Sequence, residues 1–456
     1  MRVVSHTDWG ADKQVLLRLY RTIIRSKLDY GSIIYGSARK SYLQILDTVH
    51  HQGLRLALGA FSTSPVSSLY AEANEPSLAD RREKLALQFA LKIKSDPNNP
   101  AFNCIFKPNY KNLFENKPSF IPTFGIRVAN SFQTAKIDTD IIDTFENHEI
   151  PPWTFRKPIV NFSLHSNSKS DTSPSQFLAL YNETLTLYPN FTAFFTDGSK
   201  DKEKVSAAFV VNDFSTGCRL PDNSSIFTAE AKAISLALNY IKTHAIERAV
   251  ICSDSLSVLQ SLCNRNLKSV PILKLLTQIH ELRTSEVVFC WVPGHIGITG
   301  NEKADRAAKS ALSLDPCDFK VPFTDFKPLV SAFVVSKWQT AWNECITNKL
   351  HSIKPKLGEW PPGYKINTRR DEVVITRLRI GHTHLTHSYL LKREDQPFCF
   401  ACDEPLTVHH IMIDCIDLQL TRDQFYRVSN MRELFTKVKI DDILSFLKAA
   451  GLYYKI

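Results

Sequence analysis

The sequence predicts an α/β protein, with a mixed five-stranded sheet packed by helices in residues 191–313 between mostly helical N- and C-terminal segments. Three observations carry this. Residues 191–313 pass through β-rich runs and then alternate strand with helix, the order expected of a mixed sheet. Leu16, Tyr20, Ile23 and Ile24 recur at helical spacing, as do Leu43, Leu46 and Val49 and then Leu85, Phe89 and Ile93. Four acids, Asp197, Glu230, Asp254 and Asp305, stand where the elements of the middle segment begin or end.

The elements follow in order. Asp29-Tyr30-Gly31 and Thr63-Ser64-Pro65 punctuate a helical segment over 1–95, and Asp96-Pro97-Asn98-Asn99-Pro100 ends it. Residues 96–185 form an irregular connection mixing Pro, Asn and aromatics, with a polar, Ser-rich linker from His165 to Gln176. In the segment 186–313, Phe191 to Thr196 and Val205 to Val211 read as strands, and a weaker one is expected through Arg219 to Phe227. Thr228 to Lys242 is a helix with Ile234, Leu238 and Ile241 on one face. Strand Ala249 to Cys252, helices Leu256 to Cys263 and Pro271 to Leu282, strand Val287 to Val292 and the Ala-rich helix Glu302 to Leu312 complete it. Residues 320–456 are mostly helical, interrupted by Trp360-Pro361-Pro362-Gly363 and by a Cys/His cluster over 399–415.

Composition narrows the class. Hydrophobic residues make up 43% of the 456 and charged residues 22%, ordinary globular usage that excludes a wholly disordered, collagen-like or coiled-coil chain. Ten Cys are too few for a disulfide scaffold, no apolar run is long enough to span a bilayer, and the start lacks a signal-peptide core. The expectation is an intracellular protein, in nucleus or cytoplasm, that uses no membrane. Lys and Arg number 56 against 46 Asp and Glu, and residues 191–313 hold 14 against 12. This balance permits a polyanionic partner without identifying one.

Each of the four acids has an ordinary structural reading. Asp197 opens the turn-like Asp197-Gly198-Ser199, Glu230 is a favourable charge in a first helical turn, Asp254 is a helix cap, and Asp305 follows a helix cap at Asn301. Together they read differently. Parallel strands deliver their carboxyl ends to one edge of the sheet, where sites form. Carboxylates crowded there repel one another, and divalent cations relieve the repulsion. Mg²⁺ suits such all-oxygen sites, and a pair of metals ~4 Å apart serves in-line displacement at a phosphodiester.

The same residues carry a resemblance. Phe195-Thr196-Asp197-Gly198-Ser199, Thr228-Ala229-Glu230 entering a helix, Ser253-Asp254-Ser255, and Trp291-Val292-Pro293-Gly294-His295 through Gly300-Asn301-Glu302-Lys303-Ala304-Asp305 closely resemble type 1 ribonuclease H. The motifs stand in the family's order over residues 191–313. The resemblance implies a ribonuclease H-like sheet and hydrolysis of the RNA strand of an RNA–DNA hybrid by two Mg²⁺, for which Mn²⁺ can substitute. It makes Asp197 the bridging ligand, with Glu230 and Asp254 completing the set and Asp305 holding the second metal more loosely. Glu230 would also sense the ribose 2′-hydroxyl, and Ser199 and Ser255 would contact substrate. His295, in a loop with Gly294, Gly297 and Gly300, would carry a proton or assist product release. Its ordinary reading is an exposed loop histidine. Only 40 residues separate Asp254 from His295, too few for the basic handle some members use to grip the hybrid. No small-molecule organic cofactor is expected.

The flanks resemble parts of a retroelement. Leu19-Tyr20-Arg21, Leu28-Asp29-Tyr30-Gly31, Leu54-Arg55-Leu56-Ala57-Leu58-Gly59-Ala60 and Arg81-Arg82 are similar to the region after the polymerase core in reverse transcriptases of non-LTR retrotransposons. No polymerase activity is expected, because the one adjacent pair of aspartates, Asp441-Asp442, reads as a solvated helix start. Cys399, Cys402, His410 and Cys415 offer a knuckle-like tetrahedral zinc site with a nucleic-acid contact role. Free thiols are the alternative, and His409 competes with His410 as fourth ligand. Arg377-Leu378-Arg379 through His387 reads either as a phosphate-facing stretch or as a solvated helix face. For the whole chain, the alternative to a hybrid-cleaving enzyme is a nucleic-acid-binding retroelement remnant without productive catalysis.

Overall fold

The computed structural model describes all residues except 110, 118–119, 145–150, 168–170, 359, 361–365 and 367. Residues 361–363 of the expected Trp-Pro-Pro-Gly interruption therefore lie outside the described residues. The chain forms two compact units, one of residues 88–109 and 128–330, the other of residues 1–87, 110–127 and 331–456.

The first unit is built on a mixed sheet of six strands, β1 (Ile159–Asn161), β2 (Thr192–Asp201), β3 (Lys204–Val211), β4 (Phe214–Leu220), β5 (Arg248–Ser253) and β6 (Glu286–Trp291). Their order is β1-β6-β5-β2-β3-β4. β1, β6, β5 and β2 run parallel, and β2-β3-β4 is an antiparallel meander. Five strands fall in the segment expected to hold the sheet. The sixth, β1, comes from the connection expected to be irregular, which also supplies α1 (Pro174–Thr186). Ser173 and Gln176 close a capping box at the start of α1, so the linker ends there.

The remaining helices of this unit are α2 (Ile226–Thr243), α3 (Leu256–Cys263), α4 (Val270–Glu281) and α5 (Thr299–Ala311). Alternation along β3 shows which faces they cover. Val205 and Ala207 pack with Ala229 and Ala233 of α2. Ser206, on the other face, donates to the Ala308 carbonyl of α5 at 2.6 Å. With both faces covered, every β3 residue from Val205 to Val211 is buried. α5 approaches closely because its inner positions are Ala304, Ala308 and Ala311, all buried. Phe194, Ile251 and Phe289 of the sheet meet Ile234, Leu238 and Ile241 of α2 and Leu276 of α4 in the core.

Three expectations change. β4 spans 214–220 and not Arg219 to Phe227, because Pro221 stops the strand, a turn follows, and Ser225 caps a helix that begins at Ile226. β2 continues to Asp201, so Asp197-Gly198-Ser199 is not a turn. Asn301 is buried inside the first turn of α5 and is not its cap.

In the second unit, Leu16, Tyr20, Leu54, Leu58 and Leu69 share a core with Trp342, Leu350 and Ile380. Ile23 and Val49 are exposed. Val374, Ile375 and Leu378 belong to a further core with Ile411, Met412, Phe435 and Phe446. Arg377 and Arg379 point inward. Arg377 donates to the carbonyls of Gly59 at 2.9 Å and Ile456 at 2.7 Å, and Arg379 lies 3.6 Å from the buried Glu72. His387 is buried as well. Arg377, Arg379 and His387 thus face neither a phosphate backbone nor solvent, while His384 of the same stretch is exposed. Asp441 and Asp442 lie in the first turn of the helix Ile440–Ala449. Among the described residues, no helix is long and apolar enough to cross a membrane.

Candidate active site

Strand register brings the acids together. The parallel pairing of β2 with β5 ends at the rung Thr196↔Ser253. Asp197 and Asp254 are the next residues on each strand, so they leave the carboxyl edge side by side. Glu230 arrives from α2, one turn above its start. Gly198 permits the approach, since a Cβ there would lie 2.9 Å from the Glu230 amide. One ligand atom from each of Asp197, Glu230 and Asp254 lies within 4.8 Å of the others.

Neighbouring motif residues hold this arrangement. Trp291, opposite Ser253 in the ladder, donates its indole N–H to the Asp254 carbonyl at 3.1 Å. Gly294 crosses so near that a Cβ would sit 2.5 Å from Asp254 Oδ2. Gly300 leaves room for the Phe195 ring, which an added Cβ would approach to 2.2 Å. At the head of α2, Ser225 Oγ accepts from the Thr228 amide at 3.2 Å. Asp325 Oδ2 accepts from both the Ser225 amide at 2.8 Å and the Thr228 hydroxyl at 2.6 Å.

Desolvation dominates the electrostatics. Asp197 and Glu230 are 6% and 7% exposed. Burial, then repulsion from Asp254 and Asp305, pushes the Asp197 carboxyl up to about 7. Burial, then Asp197 and Asp254, holds Glu230 well above the usual carboxylate range. Glu230 Oε2 is buried with no hydrogen-bond partner. An orphaned hard oxygen beside two further carboxylates fits a divalent cation, whose charge would reverse these shifts.

The other expected site residues are placed as follows. Asp305 stands apart from the group of three, half-buried on α5 and bonded to Lys309 Nζ at 2.8 Å. Its charge nevertheless reaches Asp197. His295 is exposed in the turn beside Gly294, with a left-handed φ of 59°. Ser199 lies on β2 opposite Ser206, and Ser255 precedes α3 without making a side-chain cap bond. Sequence reasoning missed Lys309, four residues after Asp305 and so readable as a helical pair. It also missed Asp325, which no local pattern announces.

A second group lies in the other unit. One ligand atom each from Cys399, Cys402, His410 and Cys415 gathers within 4.8 Å. Cys415 Sγ is 3.9 Å from both Cys399 Sγ and Cys402 Sγ. A tetrahedral zinc with Zn–S bonds of ~2.3 Å separates its sulfurs by about 3.8 Å, whereas a disulfide closes to ~2.05 Å. His410 Nε2 is buried without a hydrogen-bond partner, and Nδ1 lies 3.3 Å from Glu404 Oε2. A carboxylate on the outer ring nitrogen is the usual companion of a metal-bound histidine. His409 is half-exposed and pairs with Asp414 at 2.6 Å. The donor set fits zinc.

An α/β fold with acids converging at the end of its central strands defines a domain class, and comparison with known proteins specifies it. Residues 189–313 match the RNase H family. Among solved structures, the crystal structure of RNase H1 from the halophilic archaeon Halobacterium salinarum NRC-1 is similar, at 19% identity over 27% of this chain and 98% of that one, with a TM-score of 0.23. No curated protein matches the chain. Residues 189–313 are an RNase H domain.

Proposed function

We propose that this RNase H domain is of type 1 and hydrolyses the RNA strand of an RNA–DNA hybrid with two divalent cations, Mg²⁺ or in its place Mn²⁺. The observation that carries this reading is the convergence of Asp197, Glu230 and Asp254, with the buried Glu230 Oε2 unpartnered. When bound, the cations supply electrostatic stabilisation of the charge that develops on the attacking and departing oxygens. Asp197, crowded by Asp254 and Asp305, would be the shared ligand, and Glu230 and Asp254 would complete the set that holds the cations. Asp305 is the looser ligand, because its pairing with Lys309 at 2.8 Å competes with the cation. Glu230 also senses the ribose 2′-hydroxyl, the group that separates RNA from DNA. His295, exposed in the turn beside Gly294, would carry a proton or assist product release. Ser199 and Ser255 contact the substrate backbone.

The surrounding chain is read as retroelement-derived, on the N-terminal motifs and the cysteine set together. Cys399, Cys402, His410 and Cys415 hold one structural Zn²⁺. The deciding experiment incubates the full chain with an end-labelled RNA–DNA hybrid, with and without Mg²⁺. Cleavage of the RNA strand alone is expected, dependent on Mg²⁺ and nearly abolished by Asp197→Asn. Parent-rate cleavage by that variant, or equal cleavage of duplex DNA, rejects the assignment.

A further inference from the structure

In an ordinary capping box, the N-cap side chain accepts from the amide three residues on. A Glu or Gln at that third position returns a bond to the N-cap amide. At the head of α2 only half of this is local. Ser225 accepts from the Thr228 amide at 3.2 Å, but Thr228 has no carboxylate to return. Asp325 supplies the missing half from 97 residues further along the chain. Its Oδ2 accepts from the Ser225 amide at 2.8 Å and from the Thr228 hydroxyl at 2.6 Å. Asp325 is 8% exposed and lies outside the residues that match the RNase H family.

The segment that delivers Asp325 is itself fastened to the sheet unit. Cys317 donates its amide to the Arg219 carbonyl at the end of β4, 2.8 Å away. Val321, 1% exposed, bonds Ile141 and Asp143 through its main chain at 2.8 Å each. Asp325 therefore reaches the head of α2 on an anchored strap.

We infer that Asp325 is a positioning residue for Glu230, and that residues 314–326 are a working part of the nuclease site. Glu230 lies two residues beyond Thr228, on the turn that Asp325 locks. Glu230 Oε2 is buried with no hydrogen-bond partner, so its placement depends on the backbone that carries it. Loosening that turn lets Glu230 retreat toward water and weakens the cation site. This rests on the proposed nuclease reading, and the test separates the two.

Mg²⁺ affinity of the full chain is measured by calorimetry without substrate, alongside hybrid cleavage, for the parent, Asp325→Ala, Asp325→Asn and Thr228→Val. Both bonds converge on one oxygen, which Asn retains. Asp325→Ala is expected to weaken Mg²⁺ binding about tenfold or more and lower kcat, with KM for hybrid within twofold. Asp325→Asn is expected to stay within twofold of the parent in both readouts. Thr228→Val, which removes one of the two bonds, falls between. Should the Ala variant fail to fold, the Thr228→Val shift decides alone, and parent-like Mg²⁺ affinity there overturns the inference. A folded Asp325→Ala that melts earlier yet binds Mg²⁺ as the parent does reduces Asp325 to a structural cap and overturns it too. A parent that neither binds Mg²⁺ nor cleaves hybrid removes the nuclease reading instead.

Discussion

Asp197 and Asp254 occupy equivalent places on neighbouring parallel strands, each one residue past the last shared rung, Thr196↔Ser253. The ladder itself sets their proximity, since adjacent strands run ~4.8 Å apart. Two like charges at that spacing, with Glu230 added from α2, form a destabilising cluster that the fold maintains.

That cost is measurable as a pH effect. The Asp197 carboxyl is raised to about 7, and Glu230 is raised in the same direction. A raised acid favours the folded state below the unfolded value, near pH 4, and this contribution is lost as pH rises through 7. Asp197→Asn is always neutral. Without divalent metal it should match the parent near pH 4 and exceed it at pH 8, by on the order of 2–4 kcal/mol. Denaturant unfolding at the two pH values checks this. A variant less stable than the parent at pH 8 contradicts the electrostatic account.

Gly294 gives a second test of the same cluster. An added Cβ would sit 2.5 Å from Asp254 Oδ2, so Gly294→Ala must displace either the loop or the carboxylate. The expected result is weaker Mg²⁺ binding and slower cleavage by tenfold or more, with thermal stability changed little because the loop edge yields. Unchanged Mg²⁺ affinity would show that Asp254 does not need its present position.

The parts of this arrangement differ in how visible they were in the sequence. Asp197 and Asp254 were legible because strand runs Phe191 to Thr196 and Ala249 to Cys252 stop just before them, and Trp291 through Asp305 forms a continuous motif. The strand β1 was not, since three residues are too few to show a period. α1 was overlooked although Ser173 and Gln176 spell a capping box. Asp325 was out of reach for a different reason. Its partners are Ser225 and Thr228, and nothing local to Asp325 marks a helix head that distant. The inward Arg377 and Arg379 looked like surface charge, because sequence spacing does not reveal a buried Glu72 in wait.

The cysteine cluster predicts about one zinc per chain. Val408, Ile411 and Met412 flank His410 and belong to the core with Phe435 and Phe446. Removing the metal should therefore loosen that core, while the RNase H domain keeps its own. Chelation or Cys402→Ser should lower helical signal and expose the C-terminal residues to protease, leaving 189–313 protected. Protein purified without chelator that contains no zinc would falsify the site.

The last prediction concerns His295. It is exposed and its φ of 59° lies in the left-handed region, which Asn tolerates better than most residues and Ala does not. Comparing two variants therefore separates backbone from chemistry. His295→Asn retains the turn and removes the imidazole, whereas His295→Ala removes both the ring and the conformational fit. If the ring moves a proton, both should slow turnover, by about 10²- to 10⁴-fold for a positioned acid–base group. Mg²⁺ affinity should stay near the parent value in both, because His295 lies outside the group of converging acids. A His295→Asn variant with parent turnover assigns the effect of Ala to the turn and removes the catalytic role. Loss of Mg²⁺ binding in both variants would instead make His295 part of the cation site.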